Sequence, residues 1–160
     1  MALSALSDEL MRAEGMMMQD QNEEALELLL RLAEDAEEYV DCNCQTTDEV
    51  QYFAFPTLFD RLAYRRVEND PRKLEDVAEP FDRLYGDLAM AYVRTGDYES
   101  AMNALKTAIR WNPMNCGFRL DLADLFKIAG DIREQMALTF GVFERASEAR
   151  HLTRAFLNFA

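Results

Sequence analysis

The stretch DRLYGDLAMAYVRTGDYESAMNALKTAIRWNPMN, residues 82–115, constrains this chain more than any other. Leu88, Tyr92, Ala101, Leu105 and Ala108 recur at helical spacing on either side of a Gly96-Asp97 step. That is the pattern of two amphipathic helices, each with one buried stripe, joined by a short turn. Gly96 can take positive φ and stop the first helix, and Asp97 is suited to cap the second. Small residues at Ala89 and Ala101 let the helices cross closely, because side-chain size at the contact sets the interaxial distance. Pro113 has no backbone N–H and biases Asn112 away from helical angles, so the second helix ends there. One helix–turn–helix unit accounts for each of these signals.

Tyr85, Leu88, Ala89, Tyr92, Ala101, Leu105, Ala108 and Pro113 also stand at the offsets of a known signature. The stretch resembles the tetratricopeptide repeat, a 34-residue unit of pattern W-x2-L-G-x2-Y…A-x3-F…P. The substitutions are mild: an aromatic for Trp, a small residue for Gly, an apolar one for Phe. The resemblance implies an all-α fold, an α-solenoid of antiparallel helix pairs wound into a right-handed superhelix. It also implies a non-catalytic scaffold or adaptor that binds a protein or peptide.

A second copy begins near Cys116: Leu122, Ala123 and Phe126 match the first helix, and Gly130-Asp131 repeats the turn. Arg119 stands where an aromatic belongs, and Gln135 and Thr139 replace small and aromatic residues in the second helix, expected from Ile132 to Ala146. Upstream, residues 3–17 place Leu6, Leu10, Ala13 and Met17 on one side of a helix, and residues 23–40 do the same with Ala25, Leu29, Leu32 and Ala36. QNEEALELL there resembles GDYESAMNAL of the repeat, so this pair reads as a degenerate repeat or a cap. The Met16-Met17-Met18 cluster reads as gap-filling core, with an adaptable binding surface as the alternative.

Between these units, residues 41–49 read as loop, and a helix is expected from about Pro56 to Arg66, since Pro is accepted in a first turn. Tyr52, Phe53, Phe55, Phe59, Leu62 and Tyr64 are expected to pack against the solenoid or to form a partner patch. Residues 69–80 read as a linker with one helical turn at Leu74 to Ala78. The expected organisation is therefore a helical pair over 1–40, a loop and aromatic connector over 41–81, the repeat over 82–115, a second degenerate repeat over 116–152, and the start of a further or capping helix over 153–160. The apolar ending HLTRAFLNFA leads us to expect that the native chain continues.

Composition narrows the function. Residues 1–50 hold 14 acidic and 2 basic residues, and residues 51–160 hold 16 and 15, so the net charge of −13 sits almost wholly in the first third. A nucleic-acid binder shows a basic footprint, so nucleic acid is not an expected partner. No long apolar run marks a membrane span, and the opening residues carry no leader pattern. Cys42, Cys44 and Cys116 make a poor disulfide framework, which suits the reducing cytoplasm. Cys42 and Cys44 lack the second ligand pair that zinc needs, and His151, the one histidine, lacks an oriented partner for acid–base work. No phosphate-binding glycine motif occurs. No catalytic residue, metal or cofactor is expected.

In tetratricopeptide repeats the first helices line a concave groove. The resemblance places Arg83, Gly86, Met90, Val93 and Arg94 there, and from the second copy Gly117, Leu120, Asp121, Asp124 and Lys127. Some members grip a peptide carboxylate with Lys and Asn, but here those positions hold Gly86, Met90, Leu120 and Asp124, so that clamp is missing. The expected partner-binding set is Arg83, Met90, Val93, Arg94, Leu120, Asp124 and Lys127. Two further readings stand beside it: self-association into a homo-oligomer through helix ends and the aromatic segment, and a ligand-sensing part of a larger regulatory protein.

Overall fold

The computed structural model describes residues 3–160, with side chains from residue 5 onward, so the first two residues of the expected 1–40 unit lie outside it. The N-terminal pair is α1 (Leu3–Met18) and α2 (Asn22–Asn43), followed by β1 (Val50–Phe53), α3 (Leu58–Glu68) and β2 (Lys73–Asp76). Then come α4 (Phe81–Thr95) and α5 (Tyr98–Trp111), α6 (Cys116–Ala129) and α7 (Ile132–Arg145), and finally α8 (Ala149–Phe159). The helices stack as antiparallel pairs: α1 on α2, α4 on α5 and α6 on α7, with α2 joining α4, α5 joining α6, and α8 packing on α6 and α7. The architecture is an all-α helical-repeat solenoid.

The turn that the sequence marks twice is built twice in the same way. Gly96 (φ +86°) and Gly130 (φ +83°) end α4 and α6 in the left-handed region that glycine adopts without penalty. The next amide returns to the helix, Asp97 to the Tyr92 carbonyl and Asp131 to that of Phe126, both at 2.9 Å. Each aspartate then accepts from the backbone three residues on, Asp97 from Ser100 and Asp131 from Glu134, both at 3.1 Å.

One continuous core runs from α1 to α6. Leu6, Leu10, Ala13 and Met17 of α1 meet Ala25, Leu29, Leu32 and Ala36 of α2, then Leu88, Ala89, Ala101, Leu105 and Ala108 of α4 and α5. Met17 fills this core, Met16 packs at its edge, and Met18 stands exposed. In the last full pair, Gln135 and Thr139 occupy buried positions although polar. The Thr139 hydroxyl donates back to the Gln135 carbonyl at 2.8 Å, which removes the cost of burying it. Arg119 stands in for the missing aromatic by donating to the Pro113 carbonyl through Nε and Nη2 at 3.2 and 3.1 Å.

The connector corrects the sequence reading. Residues 50–53 and 73–76 are parallel strands paired in register from Val50 with Lys73 to Phe53 with Asp76, so in place of the helical turn expected at Leu74 to Ala78 the chain forms a strand up to Asp76 and then irregular backbone. The helix between them starts after Pro56: Thr57 caps α3, its hydroxyl oxygen accepting from the Asp60 amide at 3.2 Å. Residues 41–43 belong to the last turn of α2 rather than to a loop. Of the aromatics, Phe53, Phe55 and Tyr64 pack with Leu74 and Met114 into a separate small core, while Phe59 and Leu62 face outward. The unit is tied to the solenoid by the Ala54 amide donating to the Trp111 carbonyl at 2.9 Å and by an ion pair between Glu68 and Arg145 of α7.

A part-buried polar knot closes this small unit. Asp70 accepts from the Tyr64 hydroxyl at 2.9 Å and from Arg72 Nη2 at 2.7 Å, and Arg72 Nη1 reaches Gln51 Oε1 at 2.9 Å. The Arg72 hydrogen bonds hold the Asp70 carboxyl well below the usual carboxylate range, and burial followed by Asp70 pushes the Tyr64 hydroxyl up to about 12. A lowered carboxylate stabilises the fold above its unfolded pKa and loses that contribution as pH falls. Tyr64→Phe is expected to lower stability by about 1 kcal/mol in urea unfolding at pH 7. The wild type's margin over Asp70→Asn is expected to be full at pH 7 and to shrink once pH falls below about 4.

Candidate functional site

The first helices of the successive pairs, α1, α4 and α6, meet on one side of the stack: α1 packs on α4, and Phe118 of α6 reaches Gly86 of α4. A groove of about 700 Å³ runs across them. From α1 come Glu14, Met17 and Met18; from α4 come Asp82, Arg83, Gly86, Asp87, Met90 and Arg94. The start of α6 supplies Asn115, Phe118 and Asp121, and Pro56 and Pro80 of the connector complete the lining. Phe118 reaches in because Gly86 has no side chain: a Cβ there would stand 2.6 Å from the Phe118 ring.

Charged groups in the groove are largely held in place. Arg83 bridges from α4 to Glu14 of α1, with Nε at 2.8 Å and Nη2 at 2.7 Å from Oε1. Arg94 donates to the Met17 carbonyl at 2.9 Å, at the C-terminal end of α1 where a cation meets the negative end of the helix dipole. Asp82 is buried and accepts from Asn112 Nδ2 at 3.0 Å; burial pushes its pKa up and the Asn112 hydrogen bond opposes the shift. Asp87 is different. One of its oxygens is shut off from solvent with no hydrogen-bond partner, and Arg83 Nε stands 4.0 Å away. Burial, and then the Glu14 carboxylate beside it, raise its pKa to about 7.

Of the residues expected on the groove, Arg83, Met90 and Arg94 line it, Met90 with 48% of its surface exposed. Val93 is half-buried against the main core and Lys127 is exposed away from the lining. Leu120 is a correction: it is fully buried with Cys116, Val142 and Ala155, because α8 covers that side of α6. Asp124 does not line the groove; it is half-buried, and Arg154 of α8 holds both it and Asp121, at 2.6 and 2.7 Å. Cys42 is exposed and Cys44 buried, and burial raises the Cys44 thiol. Glu14, Asp87 and Phe118 carry no expectation from the sequence, and Met18, expected to fill the core with its neighbours, stands exposed on the groove instead. Asp87 carried a usable signal, lying four residues after Arg83 on the same helix face.

The chain is thus a helical-repeat protein with a mixed polar and apolar groove on its inner face. Residues 82–115 match the tetratricopeptide repeat family, and the α4–α5 pair is a tetratricopeptide repeat. No curated protein matches the chain. Among the described residues no helix is long and apolar enough to cross a membrane.

A carboxyl whose folded pKa is raised binds a proton more tightly in the native state, so stability falls as pH rises from its unfolded value towards the raised one. Asp87→Asn is therefore expected to match the wild type near pH 4 and to be more stable by roughly 1–3 kcal/mol at pH 8, allowing for partial exposure. Thermal unfolding of both proteins at the two pH values measures this.

Proposed function

We propose that the chain is a non-catalytic scaffold that holds an extended segment of a partner protein in the groove across α1, α4 and α6. The observation that carries this reading is the groove itself: its lining joins adaptable Met18 and Met90 to the aromatic Phe118 and to fixed charges on α1 and α4. Such a mixture gives apolar contact for affinity and polar groups for register. Arg83 and Arg94 then act chiefly by fixing α1 against α4. The cytoplasm is the compartment that this reading and the unpaired cysteines suit.

Capture from native lysate tests it. The double variant Met18→Gln/Met90→Gln alters two exposed side chains and is expected to weaken retention of a groove partner about tenfold. Lys127→Glu, exposed and off the groove, is expected to leave retention unchanged. Equal capture by all three proteins would remove the groove from the function.

A second reading, self-association, has its own observation. Phe140, Phe156 and Leu157 stand 61–68% exposed at the α7–α8 end. Phe140 and Phe156 contact Phe159 and Phe143 at 4.8 and 5.0 Å between ring centres, so the patch is continuous. Solenoid ends without a polar cap favour stacking. Light scattering that shows a mass rising with concentration, and returning to one chain in Phe156→Glu, would support this reading.

A further inference from the structure

We propose that the groove selects a partner segment presenting a lysine or arginine side chain between apolar residues, with Asp87 as the carboxylate that receives the cation. This rests on the groove reading above and names what the groove would choose. The first argument is charge. Glu14, Asp82, Asp87 and Asp121 line the groove against Arg83 and Arg94. Both arginines are already engaged, by Glu14 and by the Met17 carbonyl. An acidic segment would meet like charge there, whereas a basic one is complemented.

The second argument singles out one carboxylate. Glu14 has Arg83, Asp82 has Asn112, and Asp121 has Arg154. Asp87 alone of the four lacks a donor once ionised: a protonated Asp87 can donate to Glu14, but as a carboxylate it has only Arg83 at 4.0 Å, and one oxygen is buried without a partner. A largely desolvated carboxylate without donors costs free energy, and a cation reaching the part of the Asp87 side chain still open to the groove relieves it. The third argument is the surroundings: Met18, Met90 and Phe118 offer apolar surface along which the aliphatic stem of lysine or arginine packs while its head reaches the carboxylate.

The arrangement also makes binding pH-dependent. Asp87 faces Glu14 from α1, Arg83 and Asp82 from its own helix, and shares the groove with Asp121 of α6 and Arg94. With its pKa raised to about 7, Asp87 must release a proton to receive a cation. Cation binding is therefore expected to be about tenfold weaker at pH 6 than at pH 8.

The experiment uses nonapeptide pools, acetylated and amidated, with Lys, Arg, Leu or Glu fixed at the centre and mixed residues elsewhere. They are passed over the immobilised full chain at pH 8 and pH 6, beside Asp87→Asn, Glu14→Gln and Met18→Gln/Met90→Gln proteins whose helical circular dichroism is intact. The Lys and Arg pools are expected to be retained about tenfold more than the Leu pool, and the Glu pool least. Asp87→Asn should lose that preference while still retaining the Leu pool. Glu14→Gln, which frees Arg83 to pair with Asp87, should lose it too, so the test survives if either variant fails to fold. Retention that Met18→Gln/Met90→Gln weakens but that ignores the central residue, or that favours Glu, overturns the cation inference and leaves the groove reading standing. If no pool is retained by the wild type, both readings fall.

Discussion

The hydrogen bond between Asn112 and Asp82 is the constraint on which the solenoid's geometry depends. Both side chains are buried, Asn112 to within 2% of complete, and neither can turn to water. An unmade bond between groups in that position costs about 1–3 kcal/mol, so the start of α4 and the end of α5 are held together. Asn112 also accepts from the Met114 amide at 3.3 Å, which shapes the step into α6. Its neighbour Trp111 offers the carbonyl that anchors the strand unit, and Asp82 itself lines the groove. The repeat's closure, the entry to the next pair, the docking of the connector and one wall of the groove thus meet at a single polar contact.

Helical elements were legible because their signals are local. Leu6, Leu10, Ala13 and Met17 lie on one face by spacing alone, and all four are buried. Gly96 and Asp97 announce a turn through their own φ preference and capping chemistry. The strands were not legible, for the opposite reason. KLED holds a single apolar residue, and its partner VQYF lies across an intervening helix, so the pairing is decided by contacts distant in sequence. What the aromatic run did show was that Phe53, Phe55 and Tyr64 had to be buried somewhere.

The site divides along the same line. Arg83, Met90 and Arg94 follow from the register of one helix, once its inward face is assigned. Leu120 has the same register in α6 and is nevertheless core, because α8 lies over it, a packing choice that no spacing within α6 encodes. Glu14 and Met18 enter the groove only through the placement of α1 against α4. Periodicity shows which side of a helix is inward. It does not show which neighbour arrives to cover or extend that side.

The small strand unit has a mechanical meaning for the whole chain. In a plain solenoid each repeat touches only its neighbours, so the stack flexes like a spring and can unzip from either end. Here the connector between the first two pairs grips Trp111 at the end of α5, packs on Met114 in the following turn and reaches Arg145 of α7. It is a cross-brace spanning the outer pairs. Bending that would open or close the groove must shear this brace, so the inner face is stiff, and loss of one pair is coupled to loss of the others. If the groove holds a partner segment as proposed, rigidity of that kind favours segments whose bound shape already matches it, since little entropy is then lost on the protein's side.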